Sequence, residues 1–125
     1  MGILDEQFGQ LKNAFPAAQL EPKPDGSAVI RLPAVALPNG WSVAATDVLF
    51  VVPVGYPVAK PDTFWADERL RLAGGAMPSN TSMNANYGGN QQMLWFSFHP
   101  NTWNPQLDNL LTYAKLIRRR FADPK

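Results

Sequence analysis

Ser97 and His99 stand two residues apart in the run Met93-Leu94-Trp95-Phe96-Ser97-Phe98-His99. Its aromatic and apolar character reads as a β-strand. Successive side chains of a strand point to opposite faces. Met93, Trp95, Ser97 and His99 therefore share one face, while Leu94, Phe96 and Phe98 turn the other way, into a core. A hydroxyl and an imidazole on one face are a candidate nucleophile and base. Serine attacks poorly unless a neighbour takes its proton, and histidine suits that task because it titrates near neutral pH. Alternate strand residues have α-carbons roughly 6.5–7 Å apart, whereas a direct hydrogen bond needs about 2.6–3.2 Å. The two side chains must lean together or share a water. The plainer reading makes Ser97 a small polar residue on a half-exposed strand and His99 a structural histidine near a helix start. Ser79, Thr81 and Ser82 are rival nucleophiles, although loop hydroxyls are commonly just solvated.

Composition narrows the chemistry. The chain has 125 residues and no cysteine, so thiol nucleophiles, disulfides and zinc–thiolate sites are excluded. Its single histidine cannot build a histidine metal site alone, and no metal or cofactor is expected. Net charge is +1, unlike a nucleic-acid binder with its basic stripe. No apolar run approaches the roughly 18 residues that span a bilayer, and the first residues lack a signal-peptide profile. The expected location is the cytoplasm, with neither nucleic acid nor membrane as partner. Length and a 46% apolar content fit one domain, residues 1–125, with a core of its own.

The elements that must position the strand follow from periodicity. Leu4, Phe8, Leu11 and Phe15 form one stripe of an amphipathic helix over residues 3–15, bounded by Pro16. Glu21 to Gly26 is turn chemistry and reads as a loop. A sheet is expected over 28–99, with strands at Ala28–Leu32, Asp47–Val54, Thr63–Ala66 and Met93–His99. The stretch DVLFVVPV is apolar enough to be a central strand, and Asn39-Gly40 suits a tight turn. Ala73 to Gln92, rich in Gly, Asn, Ser and Met, reads as a long surface loop beside the site. Met77 and Met83 in it offer an adaptable contact surface. A last helix is expected over 104–121, with Asn104 as cap, Pro105 in first position and a stripe of Leu107, Leu110, Leu111, Ala114, Ile117 and Phe121. Arg118 to Arg120 read as its solvated, dipole-matched end. The fold class is α+β: an N-terminal helix, an antiparallel meander of about four strands, the long loop and a C-terminal helix.

Several of these stretches resemble a known family. Leu37-Pro38-Asn39-Gly40, Gly55-Tyr56-Pro57 and Lys60-Pro61-Asp62-Thr63-Phe64 look like the β-meander of ubiquitin-conjugating enzymes, and Trp103-Asn104-Pro105 looks like the Trp-x-Pro that follows their active site. The match is closer to a bacterial branch of that superfamily. That branch carries LP-x-G, G-Y-P with a following P-D, a Trp-Ser-x-His strand end, Trp-x-P and Asp-x-Leu. Here the last three are Phe96 to His99, Trp103 to Pro105 and Asp108 to Leu110. The resemblance covers about residues 28–121. It departs from the eukaryotic pattern in lacking cysteine. His99-Pro100-Asn101 copies the eukaryotic His-Pro-Asn, but it sits immediately before Trp103, so Asn101 is not assigned the oxyanion role it has there.

The resemblance implies a UBC-like fold, with the active site at the strand end that bears Ser97 and His99. The implied partners are a ubiquitin-like modifier and an activating enzyme, the latter docking on the N-terminal helix, where Asp5, Glu6 and Lys12 are candidates. Tyr87, Gly88 and Gly89 could flank the modifier's tail, since glycine lets backbone approach closely; a loop tip is the plainer reading. Trp103 is a further candidate for modifier or partner contact, and with Tyr56 and Pro57 it also reads as turn closure beneath the last helix. Two functions are in view. One is a conjugating transferase that carries its modifier as an oxyester on Ser97, with His99 assisting. The other is a catalytically silent UBC-like variant that binds the modifier or the activating enzyme noncovalently. A third reading is that a native cysteine has been replaced in this chain. Gene clusters of this kind suggest phage defence, which no residue here marks.

Overall fold

The computed structural model describes residues 3–85 and 92–125. The chain runs α1 (Ile3–Ala14), β1 (Gln19–Pro22), β2 (Ala28–Ala36), β3 (Ala45–Val52), β4 (Thr63–Ala66), β5 (Thr81–Ala85), β6 (Gln92–Ser97) and α2 (Leu110–Phe121). The strands form one sheet in the order β1-β2-β3-β4-β6-β5, and every neighbouring pair is antiparallel. The α+β class and the flanking helices agree with the sequence pattern, but the sheet has six strands rather than four.

Both additional strands are edges, which explains why they were hard to read. β1 runs into the start of the expected loop, at Glu21 and Pro22. An edge strand tolerates Pro22 because one side of its backbone needs no partner, and its residues are mostly exposed, so they carry little apolar signal. The turn itself is real: the Asp25 carboxylate accepts from the Ser27 backbone at 2.9 Å, and Gly26 takes a φ of 94°. β5 lies inside the stretch read as a long loop and pairs along β6, Thr81 opposite Phe96 and Met83 opposite Leu94. Met77 and Met83 are exposed. Between β2 and β3 the register shifts at Leu32/Val35. Ala34 there has a φ of 53°, and its N–H donates to the Asp47 carboxylate at 2.8 Å.

The core lies on one face of the sheet, under the helices. The expected stripe buries Leu11 of α1 and Phe15 just after it, with Leu4 and Phe8 packed at its margin. Phe64 of β4 and Phe96 of β6 stack at 4.6 Å and 11°. Phe121 meets Phe64, Phe96 and Trp41 edge-on, with centroids at 5.5, 5.7 and 5.4 Å. The Trp41 indole donates to the Phe121 carbonyl at 2.7 Å. On the opposite face Val29, Leu49 and Met93 form a smaller buried cluster with Trp65 against it.

The last helix starts at Leu110, not at Asn104. Asn104 and Pro105 do organise a turn: the Asn104 carbonyl accepts from Leu107 and Asp108, and its side chain accepts from Gln106. That turn does not propagate. Asn109 caps α2 afresh in a reciprocal box with Thr112, and Asp108 and Asn109 are poor residues for a helix interior. Leu107, placed in the apolar stripe by spacing, is consequently 75% exposed, while Tyr113 is fully buried. Replacing Asn109 with alanine is expected to lower stability by about 1 kcal/mol, read as a fall in the urea midpoint at unchanged slope.

The arginine run is also not a uniformly solvated end. Arg120 is only 6% exposed. Its guanidinium donates to the carbonyls of Ser79, Asp123 and Lys125, each at 3.1 Å, and lies over the rings of Trp41 and Phe96. Burial pulls its pKa down, with Asp123 acting in the opposite sense. Arg118 lies over the Phe15 ring. Pro124 packs where any side chain on Gly40 would stand, 2.6 Å from the position of a β-carbon.

Candidate active site

Strand β6 ends at Ser97, which pairs with Thr63 at the start of β4. On its other side the Ser97 N–H donates to the Asn80 carbonyl at 2.9 Å. The residue is thus held by backbone on both flanks, with its side chain half-buried. Phe98 turns toward the core: its ring meets Phe64 edge-on at 6.3 Å, and its carbonyl accepts from the Tyr113 hydroxyl at 3.2 Å. Burial, reinforced by the negative charge of Asp62, pushes the Tyr113 phenol pKa up, so this phenol remains a donor. Anchoring Phe98 inward leaves His99 outward, on the Ser97 side of the strand. Ser97 and His99 thus lie on the same side as expected, although the strand itself ends at Ser97 rather than at His99.

The structure brings Ser97 and His99 together. Ser97 Oγ lies 3.5 Å from His99 Nε2, at the outer edge of hydrogen-bonding reach. Such contacts are often loose in unliganded sites and tighten around substrate. The other ring nitrogen, Nδ1, lies 2.6 Å from Asp62 Oδ1. A carboxylate can only accept, so the Nδ1 proton faces Asp62 and Nε2 presents its lone pair to the serine. Asp62, His99 and Ser97 therefore stand in a line of the kind that removes a proton from a hydroxyl and stabilises the resulting imidazolium.

Asp62 is not among the site residues that the sequence pointed to. Pro61-Asp62 entered only as a motif of resemblance. The available signal was its place immediately before a strand: once β4 pairs with β6, the residue preceding Thr63 must lie beside the residues that follow Ser97.

The rival hydroxyls are otherwise engaged or remote from the imidazole. Ser79 Oγ donates to the Lys125 carbonyl at 3.2 Å, and Thr81 Oγ1 to the Pro78 carbonyl at 2.6 Å. Ser82 is exposed and pairs with Trp95. Tyr87, Gly88 and Gly89 lie outside the described residues. Trp103 is half-buried: its indole donates to the Pro57 carbonyl at 2.8 Å and its ring faces Tyr56 at 6.2 Å. The Tyr56 hydroxyl donates to Gln7 Oε1, which also accepts from the Leu110 N–H at 3.3 Å. Buried Gln7 thereby joins α1, the Tyr56-Pro57 turn and the start of α2.

His99 also lines a groove of about 580 Å³, bordered by Asn80, Asn101, Thr112, Leu116 and Arg119. Among the described residues, no group of three or more His, Asp or Glu side chains could hold a metal ion, and no helix is long and apolar enough to cross a membrane.

Residues 13–123 match the sequence family described as Prokaryotic E2 family E. The chain belongs to that family. This agrees with the bacterial ubiquitin-conjugating-like branch indicated by the motifs, and it connects the protein to ubiquitin-like conjugation. Neither a curated protein nor a solved structure matches the chain. In this E2-like chain the matched region contains Asp62, Ser97 and His99, and it contains no cysteine.

Proposed function

We propose that this protein is a conjugating transferase of UBC-like fold, its whole length acting as one domain, that carries a ubiquitin-like modifier as an oxyester on Ser97. The observation that supports this reading is the Asp62–His99–Ser97 line, at 2.6 and 3.5 Å, in a chain of an E2 family without cysteine. Ser97 Oγ attacks the modifier's activated C-terminal carbonyl and His99 Nε2 takes the proton; the bond from that carbon to the activating group breaks, the group departs with the proton from Nε2, and Asp62 holds the imidazole in the required tautomer. The activating enzyme that supplies the modifier would dock on α1, whose Asp5, Glu6 and Lys12 are exposed. Trp103 serves this scheme by fixing the Tyr56-Pro57 turn against the segment leading to α2.

The test is a charging reaction with the activating enzyme, the modifier and ATP. The expected product is a covalent adduct that survives reducing agent, breaks in mild alkali or hydroxylamine, and maps to Ser97. With an activating enzyme shown to be competent, absence of any adduct would sink the transferase reading and favour the noncovalent binding module.

A further inference from the structure

We propose that the same three side chains make the protein a hydrolase of activated acyl esters and thioesters, with water as acceptor and without ATP or an activating enzyme. The proposal rests on the reading of Ser97 as nucleophile and extends it to a second reaction.

A base able to arm a serine hydroxyl can arm water as well, so an acyl group stored beside it is open to hydrolysis wherever solvent reaches that base. Here the relay is open. The side chains of His99 and Asp62 are 54% and 58% exposed, so solvent reaches the imidazole from outside. His99 also borders a groove lined by Phe98, Thr112 and Leu116, so the imidazole is open to solvent on that flank as well. Lysine amines, the alternative acceptors, are protonated near neutral pH and must lose a proton before attacking. Water carries no such handicap.

The chemistry balances without a further reagent. Ser97 Oγ bonds to the acyl carbon and its proton passes to His99 Nε2. The bond from that carbon to the leaving oxygen or sulfur breaks, and the leaving group departs with the proton from Nε2. Imidazole is then neutral beside an ester. Water adds to the ester carbon and gives its proton to Nε2. The Ser97 ester bond breaks, Oγ recovers the proton, and a carboxylic acid leaves. Asp62 faces the imidazolium in both halves, 2.6 Å from Nδ1.

The experiment incubates the full chain with p-nitrophenyl acetate, follows p-nitrophenolate release, and quenches samples in acid to locate acetyl groups by peptide mass spectrometry. Ser97→Ala and Asp62→Asn are run alongside, with circular dichroism to verify that they fold. The Ser97→Ala protein retains His99 and so reports any direct reaction of the imidazole. The expected result is repeated turnover, with acetyl on Ser97 in quenched samples and a rate that falls by roughly two orders of magnitude or more in each variant. A single stoichiometric release that leaves Ser97 acetylated would overturn the hydrolase and leave the carrier intact. Equal rates in the parent and Ser97→Ala, with no acetyl on Ser97, would overturn both. Turnover that survives Asp62→Asn unchanged would overturn the relay as its cause.

Discussion

Asp62→Asn is expected to slow acyl transfer onto Ser97 by about 10²- to 10⁴-fold while leaving the protein folded. Asp62 is exposed, and its side chain contacts His99 at 2.6 Å. A surface change of this kind shifts stability by no more than about 0.5 kcal/mol, so the thermal midpoint should hardly move. The chemistry changes more. An aspartate accepts the Nδ1 proton and leaves Nε2 free to receive the serine proton. An asparagine can turn its amide N–H toward Nδ1, which drives the imidazole proton to Nε2 and points a donor at a hydroxyl that needs an acceptor. The negative charge that would face the imidazolium is lost as well. The measurement is the rate of adduct formation on Ser97 under saturating activating enzyme. An unchanged rate would mean that the Asp62–His99 contact is a surface ion pair with no part in the reaction.

How much of this was legible beforehand depended on where each residue's partners lie. Periodicity located α1 because Leu4, Phe8, Leu11 and Phe15 all point at one core, and it placed Ser97 and His99 on a shared face because alternation is a property of the strand itself. β1 and β5 were missed because an edge strand is recognised by the backbone groups it pairs, and pairing leaves little trace in exposed side chains such as those of Gln19 and Glu21. The start of α2 was misplaced by six residues because Asn104-Pro105 and Asn109-Thr112 both carry starting signals. The second prevails through reciprocal hydrogen bonds, and the Gln7 side chain also meets the Leu110 N–H across 103 residues of chain. Asp62 lies 37 residues from His99, and only the β4–β6 register brings them together. Arg120 misled for the opposite reason. Three arginines in a row look solvated, but helix geometry turns this one inward, onto three carbonyls and two aromatic rings.

Phe121→Ala is expected to be the most damaging single truncation in the core, at about 3–5 kcal/mol, while Leu107→Ala should cost less than about 0.5 kcal/mol. The two residues belong to one stripe by spacing, so the contrast tests the structure rather than the pattern. Phe121 is 1% exposed and its ring meets three others edge-on, whereas Leu107 is 75% exposed, before the helix begins. Removing the Phe121 ring leaves a cavity between α2 and the sheet that Trp41, Phe64 and Phe96 can fill only by leaving their present packing. Against a typical stability of about 5–15 kcal/mol, the loss should lower the thermal midpoint on the order of 10 °C. Its effect also reaches the site. Phe64 and Phe96, the stacked pair beneath Phe121, are one residue away from Thr63 and Ser97, the paired ends of β4 and β6. Below its melting temperature the variant should therefore react at Ser97 more slowly than the parent, because the backbone that aligns Asp62 with His99 has lost its support. A fully active Phe121→Ala protein with a lowered midpoint would show that the β4–β6 pairing alone is enough to hold the site.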